Sequence, residues 1–206
     1  MKWKEAEKVF DKQIVLSLND FLKIDKNFDR KKLYERKKRW LILKVRNWFY
    51  IKKQNLYNRY IFFIIANKIY QPSYISLEMA LHYYCLIPEY VTVFTSITTK
   101  PSKFFEWEIW YFRYSSIKKD LFCWYKTMKV WNWKVNIATM EKALFDFIYL
   151  RPMYSDVEDF EELRIDTMIA NEELDKQKLI EYWKMSWNKK CIKRIENFII
   201  YLERNA

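Results

Sequence analysis

The chain of 206 residues contains no glycine. Usage near 7% predicts about 14 in a chain of this length, so the deficit is not sampling noise. It excludes the phosphate-cradling loop and the dinucleotide fingerprint, whose turns need a backbone without a Cβ. There is one histidine, His82, and the three cysteines, Cys85, Cys123 and Cys191, form no CxxC pair. Neither a zinc site nor a disulfide framework follows, and no cofactor is expected. No apolar run approaches the roughly 18 to 20 residues that span a bilayer. The densest, Tyr60 to Ala66, is far shorter. The opening Met1-Lys2-Trp3-Lys4-Glu5 carries charge where a secretory signal needs its apolar stretch, so a cytoplasmic protein away from membranes is expected.

What is present is aromatic and basic. Hydrophobic residues make up 51% of the chain and aromatics 20%, enough for a packed core and far from a disordered profile. The net charge of +12 is concentrated at one end. Residues 1–55 hold 17 Lys and Arg against 7 Asp and Glu, a net +10; residues 56–206 hold 21 against 19, a net +2. Arg30 to Lys53 carries eleven basic residues and a single acid, Glu35. Such a cluster attracts a polyanion by Coulomb steering and counterion release, and nucleic acid is the common one.

The patterning of the first part predicts three short helices and a hairpin. Glu5 to Gln13 places Val9 and Phe10 opposite Lys4, Lys8 and Lys12. Ser17-Leu18-Asn19-Asp20 has the form of a helix start, a hydroxyl followed by an acid three residues on, for a helix over Leu18 to Lys23. Asn27-Phe28-Asp29 offers a second cap, for a helix over Arg30 to Arg39. Two runs rich in β-formers, Leu41 to Arg46 and Phe49 to Lys52, flank Asn47-Trp48 and read as a hairpin. That order is the order of a winged helix-turn-helix, whose recognition helix enters the major groove. The expected DNA contacts are Arg30, Lys31, Lys32, Arg36, Lys37 and Arg39 on the helix, with Lys44, Arg46 and Lys52 as wing contacts to phosphate.

Residues 1–55 are thus expected to form a winged helix-turn-helix domain, and 56–206 a mixed α+β domain with a helical tail. In the second part Leu56 to Tyr70 reads as an apolar linking helix, and Ser76 as the cap of a helix over Leu77 to Tyr84. Strand character marks Tyr90 to Ile97, Lys103 to Glu108, Tyr111 to Tyr114 and Lys134 to Ala138. Thr139 is the expected cap of a helix over Glu141 to Leu150. Helices over about Asp159 to Ala170, Lys176 to Met185 and Lys190 to Arg204 finish the chain.

Catalytic and metal residues are not expected. His82 and Cys85 stand three apart, but packing is the plainer role for the histidine. Glu141 and Asp146, five apart on a helix, do not share a face, so capping and a salt link to Lys142 are expected instead. The acidic run Asp156 to Glu162 reads as a solvated helix start.

Several segments resemble the AbiEi family, bacterial antitoxins and transcriptional regulators of type IV toxin–antitoxin systems. They are Gln71-Pro72-Ser73-Tyr74-Ile75-Ser76-Leu77-Glu78-Met79-Ala80-Leu81, Tyr83-Tyr84-Cys85-Leu86-Ile87-Pro88, Thr95-Ser96-Ile97-Thr98-Thr99-Lys100, and Ile137-Ala138-Thr139-Met140-Glu141-Lys142-Ala143-Leu144-Phe145-Asp146. The likeness runs over about residues 15–152 and is most specific in "YISLxxAL" and "EKALxD". It implies an N-terminal domain that binds double-stranded operator DNA and represses its own operon. It further implies a C-terminal domain that opposes a nucleotidyltransferase-like toxin without catalysis. A stand-alone winged-helix regulator with no toxin partner is the alternative reading.

The chain departs from the family where the family has glycine. The places are Trp40 after Arg39, Trp48 after Asn47, Cys85 after Tyr84, Trp110 after Ile109 and Trp124 before Tyr125. Ten tryptophans accompany the missing glycine. Two origins fit: UGA codons that the source organism reads as glycine, or a glycine-free chain that carries bulky residues in its turns.

Overall fold

The structure, a computed structural model, describes residues 14–57, 60–108, 110–130, 133–186 and 189–205. It is an α+β protein that divides into two compact units. One holds the chain to Gln71 together with 107–109 and 128–135, and the other holds the rest. The helix expected over Glu5 to Gln13 lies outside the described residues.

The first unit begins with strand β1 (Val15–Ser17) and helix α1 (Leu18–Ile24). The expected helix start is present as a full capping box. The Asp20 backbone N–H donates to Ser17 Oγ at 3.3 Å, and the Ser17 backbone N–H donates to Asp20 Oδ2 at 2.8 Å. Helix α2 (Lys31–Lys38) follows, one residue shorter at each end than expected. Its N-cap is Arg30, whose side chain makes no capping bond; Asp29, one residue earlier, accepts from the Lys31 N–H through Oδ1 at 2.9 Å. Strands β2 (Ile42–Arg46) and β3 (Phe49–Lys52) form the expected hairpin, and β1 pairs antiparallel to β3, giving the order β1-β3-β2. Ile42, Leu43, Val45 and Ile51 are all buried, so the hairpin is covered on both faces, and Lys44 is the exposed position of β2. The core beneath this sheet is Leu16, Leu18, Phe21, Phe28, Leu33, Ile42 and Tyr50. Within it Phe21 and Phe28 stack at 4.9 Å. A short 3-10 segment (Lys53–Tyr57) leads to helix α3 (Tyr60–Ile69), which is apolar on nearly every side and buried accordingly.

The remaining elements run β4 (Ser73–Ile75), α4 (Glu78–Tyr83), β5 (Val93–Thr98), β6 (Lys103–Trp107), β7 (Trp110–Ser116), β8 (Tyr125–Val130), β9 (Trp133–Ala138) and α5 (Met140–Leu150). Helices α6 (Thr167–Glu173), α7 (Lys176–Met185) and α8 (Lys189–Arg204) form the tail. The strands join in the order β6-β7-β5-β4-β9-β8. β4 lies antiparallel to β5 and parallel to β9, and β5 lies parallel to β7, so the sheet is mixed.

Four expectations need correction. β4 and β8 are strands that the patterning did not reveal. The first is three residues long, and the second, Tyr-Lys-Thr-Met-Lys-Val, has too little apolar alternation to stand out. The strand expected from Tyr90 starts at Val93. The single helix expected over Asp159 to Ala170 is a 3-10 turn (Glu158–Leu163) and a separate α6. Arg164, in the left-handed region at φ 48°, ends the first, and Asp166 caps the second by accepting from the Ile169 N–H at 3.0 Å. Ser76 does not cap α4. The Met79 N–H instead donates to Thr95 Oγ1 at 3.0 Å, and that hydroxyl donates to the Ser76 carbonyl at 2.7 Å, so β5 caps the helix from across the turn. The cap expected at Thr139 is present, accepting from the Lys142 N–H at 3.2 Å.

Removing the box at α1 by Ser17→Ala is expected to cost about 1 kcal/mol, the usual loss for such a cap. Urea unfolding monitored by circular dichroism measures it. An unchanged midpoint would show that α1 is held by its core contacts alone.

Candidate nucleic-acid interface

Helix α2 has one strong tie to the core, Leu33, and its remaining positions are mostly charged. Arg30, Lys31, Lys37 and Arg39 are exposed there, and Lys44 is exposed on β2. Lys32, Arg36, Arg46 and Lys52 are half-buried. Three of the cations, Arg36, Lys37 and Lys38, fall in the last turn of α2, where the helix dipole favours positive charge. One helix and one hairpin of a single unit therefore carry all nine of the residues singled out in the sequence.

Their environments differ. Arg46 turns toward its own unit: its guanidinium donates to the Ile69 carbonyl at the end of α3 and lies 5.5 Å from the Tyr70 ring centroid. Its reach is spent on holding the hairpin to α3. Arg30 lies over the Trp48 indole at 5.2 Å, and Lys53 lies over the Trp40 indole at the same distance. Sequence reasoning did not anticipate that these two tryptophans would flank the basic residues, since hairpin tip and helix end become neighbours only through the fold.

In the second unit the residues that tempted a chemical reading have structural roles. Cys85 meets His82 through the backbone, its N–H donating to the His82 carbonyl at 3.1 Å where α4 ends. The His82 ring packs edge-on to Tyr90 at 6.2 Å. Asp159 holds the start of the acidic run by accepting from the Ser155 and Asp156 N–H groups, each at 2.9 Å, and these bonds keep its carboxyl below the usual range. Glu141 sits 3.6 Å from Lys178 Nζ.

The strongest polar feature of that unit is a buried network that sequence reasoning saw only in part. Lys142 and Asp146 stand four apart on α5, and Nζ meets Oδ1 at 2.5 Å with both side chains fully buried. Asp146 Oδ2 also accepts from Ser76 Oγ at 2.7 Å and from Tyr74 OH at 3.0 Å. The Lys142 ammonium lies 4.5 Å from the Phe145 ring centroid and 5.7 Å from those of Tyr74 and Trp124. Burial pushes the Asp146 carboxyl up, while the ammonium and the two hydroxyls draw it back down. Burial also pushes the Tyr74 phenol up, and the neighbouring carboxylate adds to it. The salt link to Lys142 was legible from the spacing. Ser76 and Tyr74 were not, because they arrive from β4 and the turn after it, some seventy residues away in the chain. A cavity of about 490 Å³ elsewhere in the same unit is bounded by Leu81, Tyr90, Phe147 and the ion pair of Arg151 Nη2 with Glu78 Oε1 at 2.5 Å.

No protein-family model matches the chain, and no curated protein matches it. No helix among the described residues is long and apolar enough to cross a membrane.

Removing one partner of the buried pair leaves the other charge uncompensated, which costs about 3 to 5 kcal/mol. Lys142→Met and Asp146→Asn are each expected to lose that much stability in denaturant unfolding. The double variant Lys142→Met/Asp146→Asn should lose clearly less than the sum. Losses that add to within about 0.5 kcal/mol would show that the pair is not energetically coupled.

Proposed function

We propose that this protein is a DNA-binding autorepressor and antitoxin of the AbiEi kind. In this reading residues 1–55 form a winged helix-turn-helix that occupies double-stranded operator DNA, and the second part opposes a nucleotidyltransferase-like toxin in the cytoplasm. The observation that carries the DNA-binding half is the charge of one segment, eleven cations against one acid between Arg30 and Lys53. Those cations fall on a helix and the residues that flank it, on the hairpin that follows, and at Lys53 just past the hairpin. A short helix with a single buried anchor has its other faces available to a groove, and an exposed Lys44 on the hairpin can follow the phosphate backbone.

Helix α2 is the reading's recognition helix, with Arg30, Lys31, Lys32, Arg36, Lys37 and Arg39 facing DNA. Lys44 and Lys52 are its wing contacts. Arg46 supports the wing through α3 as much as it adds charge. The antitoxin half rests on the resemblance of the "YISLxxAL" and "EKALxD" segments. In the fold these two segments meet at the Ser76–Asp146 hydrogen bond, so their joint presence has a structural use in the second unit. The reading assigns binding, and no catalytic step, to both parts.

Neutralising six to eight phosphates gives a log K against log salt slope near −5 to −7, at about 0.9 per phosphate. Fluorescence anisotropy on the protein's own promoter fragment is expected to show this slope. Lys31→Glu/Lys37→Glu/Arg39→Glu should abolish binding and leave the fold intact, since all three side chains are exposed. Binding that ignores salt would sink the DNA reading. For the antitoxin half, co-expression is expected to rescue cells from the nucleotidyltransferase-type protein encoded beside the gene. Absence of such a neighbour would remove that half and leave the repressor.

A further inference from the structure

We infer that positions 40, 48 and 124 are glycine in the protein as its own cell makes it, each encoded by a UGA codon that the source organism reads as glycine. The inference is independent of the proposed function. Among the described residues, seven that are not glycine have positive φ: Trp40 (57°), Trp48 (69°), Leu77 (58°), Cys85 (60°), Glu108 (53°), Trp124 (57°) and Arg164 (48°). Seven tryptophans are described, and three of them occupy these seven positions. Left-handed backbone brings the Cβ against the following carbonyl, and the side chains that tolerate it best after glycine are Asn and Asp. A chain that had truly lost glycine would be expected to fill such sites with those two residues. Tryptophan, bulky and without a local polar group, has no physical claim on them.

Two of the three sites, Trp40 and Trp48, also have the hydrogen-bonding or turn context in which glycine is the default. Trp40 follows Arg39, the C-cap of α2, and stands at the left-handed position of a Schellman motif. Its N–H donates to the Lys37 carbonyl at 2.9 Å, and the Leu41 N–H donates to the Arg36 carbonyl at 3.1 Å. Cys85 ends α4 in the same way, its N–H bonding the His82 carbonyl at 3.1 Å and the Leu86 N–H bonding the Leu81 carbonyl at 2.9 Å. Cysteine stands one base from a glycine codon, so that site has an ordinary mutational origin. Trp48 is the second residue of the two-residue turn between β2 and β3. A left-handed residue in so tight a hairpin turn calls for glycine.

Packing gives no reason for an indole at the first two sites. Trp40 is 64% exposed and Trp48 51% exposed. Trp124 does find a partner, stacking on Tyr182 at 4.0 Å, yet its backbone obeys the same rule. Trp183 shows the contrast: it lies inside α7, is 1% exposed and packs on Phe145 at 4.8 Å, as a true core tryptophan does. Trp110, another glycine site of the resemblance, lies on a strand and is not among the positive-φ residues, so the inference does not extend to it. Three of the ten tryptophans and three of the missing glycines then share one cause.

The test is peptide mass spectrometry on the protein isolated from its source cells, read beside the codons of its gene. The expected result is UGA codons and glycine residue masses at 40, 48 and 124, with tryptophan at 183. A UGG codon or a tryptophan mass at any of the three overturns the inference. A second measurement addresses the backbone argument on recombinant protein. W40G and W48G are expected to raise the thermal midpoint, because each relieves a left-handed tryptophan and gives up little packing. A lower midpoint in either variant would overturn the argument that these sites want glycine.

Discussion

A charge that cannot leave the interior organises the second unit. Lys142 and Asp146 have no exposure, so the fold must supply what water would have given them. Lys142 receives one carboxylate oxygen and the faces of two aromatic rings, Tyr74 and Phe145. Asp146 receives the ammonium on one oxygen and two hydroxyls on the other, three of the roughly four donors a carboxylate can accept. Because Tyr74 belongs to β4 and Ser76 to the turn that follows, satisfying the pair requires α5 to sit against that strand. A hydrophobic contact could slide by a residue; this network cannot, since every displaced hydroxyl would leave a buried oxygen without a donor.

The turn after β4 has the matching constraint. Leu77 is fully buried in a left-handed conformation at φ 58°. Its neighbour Ser76 is thereby committed twice, the hydroxyl to Asp146 and the carbonyl to Thr95. Thr95 in turn caps α4. Strand, turn and helix are joined by side chains from two other elements, and the strain at Leu77 persists because those bonds over-determine it.

The first unit solves a different problem, that of a small core beneath a high charge. A cluster of seven buried side chains lies under two short helices and a three-stranded sheet, in which Val15, Leu43, Val45 and Ile51 are buried as well, while Arg30 to Lys53 crowds eleven cations around them. Self-repulsion of that charge opposes compactness. Part of it is offset locally: the last turn of α2 welcomes cations through its dipole, and Arg46 is held by a carbonyl and a tyrosine ring. Lys31, Lys37, Arg39 and Lys44 keep their charge outward. The proposed DNA-binding reading draws on that outward charge.

Local chemistry was readable from the sequence. The capping box at Ser17 and Asp20, the cap at Thr139, the hairpin around Asn47-Trp48, the basic segment and the link of Lys142 to Asp146 all involve residues within a few positions of one another. Backbone rules and helical spacing act at that range, so residue order alone settles them. Tertiary structure decided what depends on residues far apart. It made β4 a strand by pairing it with β5 and β9, assigned the capping of α4 to Thr95 and freed Ser76 for Asp146, and turned Arg46 toward Ile69. It also revealed which tryptophans stand in left-handed backbone, a property of φ that composition can suggest and only a folded chain displays. The physical reason is the same in each case: a hydrogen bond or a dihedral is fixed by its three-dimensional partner, and the chain does not bring those partners together until it folds.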